Sequence, residues 1–363
     1  MNVEYTMLKR NFELYQTEYE EASMRALRSG WYILGPELAA FEEEFAKFMG
    51  AKYCVGVNSG TDALILAIRA LGIGSGDEVI VPAGTYIASV LGVTENEATP
   101  IYVDSGEDLL INAASIEEKI TEKTKAILPV HLYGQSCNMS VIMEIADKYK
   151  LRVVEDCAQS HGSTWNGKVT GTFGDIGCFS FYPTKPLGAL GDAGALLTND
   201  ADLAEKLRML RNYGSKVKYH NEIIGINSRL DEIQAANLRV GLSHLDEMNE
   251  LRLNIANRYL TGIKNDKVKF AKINENGKHV FHLFPVLVDN QDRFQRFLFD
   301  NGIKSQVHYP IPPYVAECYE YQGYSWDAFP KASYIAKHEV SLPIYSGMPL
   351  DEVEYVIKVV NKY

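Results

Sequence analysis

Paired cysteines are missing from this chain of 363 residues. The five cysteines, Cys54, Cys137, Cys157, Cys178 and Cys318, are odd in number, scattered, and never paired at metal-ligand spacing. That argues against a disulfide scaffold or a zinc module and for reduced thiols, several of them inside apolar runs. Positive charge is also in deficit: 36 Lys and Arg against 47 Asp and Glu give a formal net charge of -11. A broad nucleic-acid or membrane surface is therefore not expected, and an anionic substrate needs a local basic pocket. No apolar stretch is long enough to span a bilayer, and no basic segment leading into an apolar run opens the chain. The expected compartment is the cytoplasm, with no metal, nucleic acid or membrane among the partners.

What is present is an ordinary globular composition, 46% hydrophobic and 23% charged, on a chain long enough for two domains. Leu14 to Leu27 reads as an amphipathic acidic helix stopped by Ser29-Gly30, and Pro36 opens another. Between them the aromatic loop Trp31-Tyr32-Ile33-Leu34-Gly35 is either a packed lid or a direct substrate contact. Strand-like runs follow at Cys54–Val57, Val79–Pro82, Ile101–Asp104, Ala126–His131 and Leu151–Asp156. Helical segments at Thr61–Leu71, Ser115–Ile120 and Ser140–Tyr149 lie between them. Such alternation predicts an α/β fold with a mainly parallel sheet flanked by helices. A long helix, Asp231 to Gly262, is expected to bridge to a smaller C-terminal α+β domain. That domain has strands near Val280–Leu287 and Ser305–Val307 and helices at Asp292–Asn301 and Asp351–Lys362. The expected division is 1–240 and 241–363.

Several stretches carry candidate chemistry. Cys178-Phe179-Ser180-Phe181 reads as a strand, and Pro183, Gly188, Gly191 and Gly194 then compact the backbone around Lys185 before the strand Ala195–Thr198. A lysine so placed is either an ordinary surface residue or an amine whose pKa desolvation lowers into the nucleophilic range. Asp156 closes a buried strand, where open α/β sheets place ligands. Asn58-Ser59-Gly60-Thr61 leads from a strand into a helix and is either a simple N-cap or an anion site. Gly72 to Gly76 follows a helix and precedes a strand, the reverse of a dinucleotide fingerprint. The segment Tyr213 to Asn221 is basic on an acidic protein and suits a diphosphate, though solvated loops are often basic. His308-Tyr309-Pro310-Ile311-Pro312 is a rigid extended segment whose histidine either binds substrate or braces the loop.

EDCAQSHG (from Glu155), FSFYPTK (from Phe179) and LGALGDAGALLTND (from Leu187), with GWYILGPE (from Gly30) and SLPIY (from Ser341), resemble the sugar aminotransferases of the DegT/DnrJ/EryC1/StrS family. Matches run over nearly the whole chain. The resemblance implies a fold-type I pyridoxal phosphate enzyme. Lys185 is then the cofactor's anchor and proton carrier, and Asp156 the acid holding the ring nitrogen protonated. It further implies that Ser59, Gly60, Thr61 and Ser180 hold the phosphate, Tyr86 stacks on the ring and Gln159 meets the ring hydroxyl. GINSRLDEIQAA (from Gly225) resembles the loop that crosses to a neighbouring subunit, where Asn227 reaches the partner's phosphate. That implies a homodimer with shared sites. His131 is expected to be a satisfied histidine without a catalytic role. Trp31, Tyr182, Lys216, Lys218, Arg229, His308 and Tyr309 are the substrate candidates. Pro313-Tyr314-Val315 departs from the family pattern after the second proline.

The implied reaction is a ping-pong transfer from L-glutamate to a nucleotide-linked sugar, a dTDP-linked 3-keto-6-deoxyhexose. A 4-keto sugar or a non-catalytic regulatory protein are the alternatives. Dehydratases of this fold carry histidine in place of the site lysine, whereas Lys185 is retained here.

Overall fold

The computed structural model describes all 363 residues. Its chain begins with α1 (Leu8–Glu13), α2 (Gln16–Ser29) and α3 (Pro36–Met49), then alternates: β1 (Tyr53–Val57), α4 (Gly60–Ala70), β2 (Glu78–Pro82), α5 (Ile87–Thr94), β3 (Thr99–Val103), β4 (Thr124–Ile127), α6 (Met139–Tyr149) and β5 (Arg152–Asp156). β6 (Ile176–Ser180), β7 (Gly194–Thr198) and α7 (Ala201–Leu210) complete the large unit. The seven strands are ordered β1-β7-β6-β5-β4-β2-β3. β7 is antiparallel to both neighbours, while β6, β5, β4, β2 and β3 are mutually parallel.

Period-two alternation places β6 between two cores. Ile176 and Cys178 join Leu64 and Ala67 of α4 and Val90 of α5 on one face. Phe179, with Phe181 just beyond the strand, joins Phe41 and Phe45 of α3 on the other. The rings there meet edge to face, Phe45 to Phe179 at 5.1 Å and to Phe181 at 5.3 Å, the arrangement aromatic quadrupoles favour.

α8 (Glu232–Ser243) and α9 (Leu245–Gly262) replace the single bridging helix that the periodicity predicts. The break falls at His244, with φ -110° and ψ 6°, whose ring stacks on Tyr15 at 3.7 Å. The small unit comprises β8 (Val268–Phe270), α10 (Gln291–Asp300), α11 (Pro330–His338), α12 (Leu350–Val360) and two further strands, β9 (Phe284–Val288) and β10 (Glu339–Leu342). Its antiparallel sheet runs β8-β9-β10 over a core of Tyr259, Phe284, Val286, Leu298 and Val356. Val3 joins that core and bridges to Ile303, so the first residues of the chain attach to the small unit.

Three further expected elements differ. Ser115–Ile120 forms 3₁₀ turns, at Ala113–Ser115 and Glu117–Lys119. Ser305–Val307 makes only one bridge, Gln306 to Ser341. Val280–Leu283 is not sheet, because Val280 and Leu283 donate their N–H groups to the carbonyls of Gly134 and Tyr133 in the large unit. No helix is long and apolar enough to cross a membrane.

Candidate active site

Lys185 sits on a turn closed by its own N–H to the Tyr182 carbonyl (2.8 Å) and by Ala189 N–H to Phe181 O (2.7 Å). A Cβ on Gly188 would lie 2.5 Å from the Pro183 carbonyl oxygen, so a glycine is required for the turn to fold so tightly. The lysine side chain lines a cavity of about 580 Å³ between the two units. Burial lowers its amine to about 8, against a smaller opposing pull from Asp156.

The carboxyl end of β5 brings Asp156 into the same cavity. Its Oδ2 accepts from the Ser89 hydroxyl at 2.7 Å and its Oδ1 from Ala158 N–H at 3.1 Å. Burial raises this carboxyl, while Ser89, Ala158 N–H, Lys185 and His131 pull the other way. No cation is within salt-bridge distance of the buried acid, so it suits a positively charged, protonated nitrogen on a ligand.

Also on the cavity wall, Ser59 caps α4 by accepting from Asp62 N–H at 3.1 Å. The N–H groups of Gly60 and Thr61 donate to no protein acceptor and line the cavity with Ser180. A Cβ on Gly60 would fall 2.5 Å from Ser180 Cβ, so helix terminus and strand end are pressed together into an anion cradle. A carboxylate, a lysine and an anion cradle lining one cavity fit pyridoxal phosphate in both charge and chemistry.

The Tyr86 and Tyr309 rings lie 4.9 Å apart on the cavity wall. Gln159 donates to the Tyr309 hydroxyl (3.0 Å) and accepts from Tyr133 N–H (2.6 Å), which leaves one amide N–H for a ligand. Tyr182 and His308 also line the cavity.

DegT/DnrJ/EryC1/StrS aminotransferases are the family whose model matches this chain, over residues 14–361. The chain belongs to that family. The family is pyridoxal phosphate dependent, and the residues of the cavity fit that cofactor. Among its members, a dTDP-3-amino-3,6-dideoxy-alpha-D-galactopyranose transaminase from Aneurinibacillus thermoaerophilus is 52% identical over 96% of each chain. The crystal structure of DesV from S. venezuelae is 44% identical, with a TM-score of 0.98 over 99% of this chain and 98% of that one. NtdA from Bacillus subtilis, solved with bound cofactor PMP, is 33% identical with a TM-score of 0.90, covering 99% of this chain and 84% of its own.

Within this DegT-family chain, Ser59, Gly60, Thr61, Tyr86, Asp156, Gln159, Ser180, Tyr182, Lys185, His308 and Tyr309 converge on one cavity. Trp31, Lys216, Lys218, Asn227 and Arg229 lie outside it. Trp31 is exposed, its Nε1–H donating to the Ile33 carbonyl. Lys216 pairs with Glu205, and Lys218 rests 5.1 Å from the Tyr219 ring centroid. Arg229 stacks on Tyr213 at 5.5 Å and donates to Asn212, whose backbone also bridges Asn227. His131 is satisfied as expected, with Glu155 on one ring nitrogen and Cys137 N–H on the other.

Sequence reasoning missed Ser89, which the Asp156 contact makes important, and Tyr5, Thr6 and His282, which join the cavity from the chain start and from before β9. Ser89 left a weak signal, a lone hydroxyl inside the apolar run IASVLGV; the others left none.

Proposed function

We propose that this aminotransferase moves an amino group from L-glutamate to a dTDP-linked 3-keto-6-deoxyhexose, forming a 3-amino-3,6-dideoxy sugar. The observation that carries the chemistry is the meeting of Lys185 and Asp156 in one cavity. The sugar rests on the relatives, whose names specify dTDP-3-amino sugars and favour C3 over C4.

When bound, pyridoxal phosphate supplies an electron sink for charge developing at the reacting carbon. Lys185 Nζ would hold the cofactor through its aldehyde and, once free, would carry the proton taken from the α-carbon of glutamate and the one delivered at C3 of the sugar. An amine lowered to about 8 suits both directions of that transfer. Asp156, oriented by Ser89 and Ala158 N–H, holds the proton on the ring nitrogen. The Gly60 and Thr61 amides with the Ser59, Thr61 and Ser180 hydroxyls would hold the phosphate, and Tyr86 would offer its aromatic ring to the cofactor. Tyr182, His308 and Tyr309 face the sugar.

The protein acts as a homodimer in the cytoplasm. Trp31, Lys216, Lys218, Asn227 and Arg229 serve the partner's cavity, which accounts for their position outside their own. The 85% exposure of Tyr219 and 89% of Ile224 beside them fits a face covered by a second copy.

Incubation with L-glutamate and a panel of 3-keto and 4-keto nucleotide sugars tests this reading. Formation of 2-oxoglutarate is expected only with the 3-keto sugars; turnover confined to 4-keto sugars would overturn the choice of carbon.

A further inference from the structure

Behind the cavity wall, β10 directs Glu339 and Ser341 to the same side, two residues apart, both fully buried. A carboxyl in an apolar core is costly unless hydrogen bonds satisfy it. Here Glu339 Oε2 accepts from the backbone N–H of His308 at 2.6 Å, and Oε1 bonds to Ser341 Oγ. Ser341 Oγ then meets His308 Nδ1 at 2.9 Å. The backbone holds the two segments in register, with Ser341 N–H on the Gln306 carbonyl at 2.8 Å. The Tyr133 hydroxyl donates to the His308 carbonyl at 2.6 Å, and the Tyr5 ring stacks against the imidazole at 5.8 Å. Only Nε2 of the ring has no protein partner, and the ring lines the cavity.

A hydroxyl carries one proton, so Ser341 donates to one neighbour and accepts from the other. With Glu339 ionised, Ser341 gives its proton to the carboxylate. Nδ1 must then carry the imidazole proton, and Nε2 shows the cavity a lone pair. With Glu339 protonated, each bond reverses: the carboxyl donates to Ser341, Ser341 donates to Nδ1, and Nε2–H faces the cavity. Burial pushes Glu339 up to about 8, only partly offset by Ser341 and His308 N–H, so the second setting prevails at neutral pH.

We propose that Glu339 and Ser341 hold a proton that fixes His308 as the Nε2–H tautomer, making it a hydrogen-bond donor to an oxygen of the acceptor sugar. Glu339 and Ser341 are thus positioning residues. The sugar contact rests on the function proposed above; the tautomer does not.

The ionisable groups facing this wire are Tyr5 from the chain start, whose hydroxyl lies by Ser341, Tyr133 from the turn after β4, Tyr309 beside His308, His282 before β9 and Arg252 of α9. Burial holds His282 well below the usual imidazole value, so it stays neutral. The three tyrosines are held above their usual value by burial and stay neutral, and Arg252, lowered by burial to about 10, stays mainly charged. Lys185, which His308 also feels, is lowered to about 8 and titrates in the same window as Glu339. Wild type and Glu339→Gln must therefore be compared at each pH.

Imidazole ¹⁵N spectra of the cofactor-loaded protein, with His308 assigned by its loss in His308→Gln, read the tautomer directly. The wild type should show Nε2–H at about pH 7 and Nδ1–H at about pH 9.5. Glu339→Gln, whose amide can only donate to Ser341, should show Nε2–H at both. The wild-type KM for the nucleotide sugar should rise about tenfold between the two values, the worth of one hydrogen bond. Glu339→Gln should lack that rise, and the KM for glutamate should not distinguish the two proteins. Ser341→Ala cuts the wire and should make the His308 tautomer independent of pH even where Glu339→Gln misfolds. One tautomer in the wild type at both pH values, or a Glu339→Gln profile that follows the wild type, overturns the wire. A tautomer switch without any change in sugar KM overturns the sugar contact alone.

Discussion

Lys185 and Asp156 owe their chemistry to burial, which acts on them in opposite senses. It disfavours charge on both, pulling the lysine down to about 8 and the aspartate up. Below that value the amine is mainly protonated and not nucleophilic. Titration of pyridoxal phosphate into the cofactor-free protein should therefore bind faster as pH rises through about 8, followed by visible absorbance. Lys185→Ala should show no such capture at any pH and lose activity by about 10³-fold or more. Asp156→Asn keeps the shape and removes the charge that holds the ring proton; kcat should fall on the order of 10²- to 10³-fold. Ser89→Ala leaves Asp156 Oδ2 without its buried donor, a loss of about 1–3 kcal/mol measurable by denaturant unfolding.

At the scale of elements, the phosphate cradle exists because three backbone segments touch. A Cβ on Gly194 would lie 2.4 Å from the Ser59 carbonyl carbon, and one on Gly60 would strike Ser180. The start of α4, the end of β6 and the start of β7 are thereby locked face to face. Gly60→Ala must push α4 away from β6. The expected result is a cofactor that dissociates at least about tenfold more readily, with a stability loss of about 1–3 kcal/mol from overpacking. Equilibrium dialysis and denaturant unfolding read the two separately; unchanged cofactor retention would refute the close-packed cradle. Elements were also where local pattern misled. The stripe from Ile233 to Tyr259 looks like one helix because 3.6-residue periodicity survives a break, and only the stacking of His244 on Tyr15 shows where the chain turns. Val280–Leu283 has strand composition but is drawn to Gly134 and Tyr133 by backbone hydrogen bonds that no local pattern reveals.

For the whole molecule, the decisive geometry is the cavity between the two units, to which the first residues and the HYP segment each contribute. Tyr5 and His308 are more than three hundred positions apart, yet their rings stack. If Asn227 completes the partner's site, Lys185→Ala and Asn227→Ala proteins should each be nearly inactive alone. Mixing them through partial denaturation and refolding should restore activity, since some hybrid dimers then carry one intact site. A mixture no more active than its components would place Asn227 outside catalysis.

Local information settled the strand-helix alternation, the lysine on its glycine turn, the acid closing β5 and the hydroxyl-rich helix start. Each is written in neighbouring residues whose backbone preferences and polarity act over a few positions. Tertiary structure alone decided which of these groups face one another. It enclosed Lys185 enough to depress its amine, gave Asp156 to Ser89, and set Glu339 and Ser341 behind His308. Those outcomes depend on desolvation and on hydrogen bonds between distant segments, and neither exists until the two cores have packed.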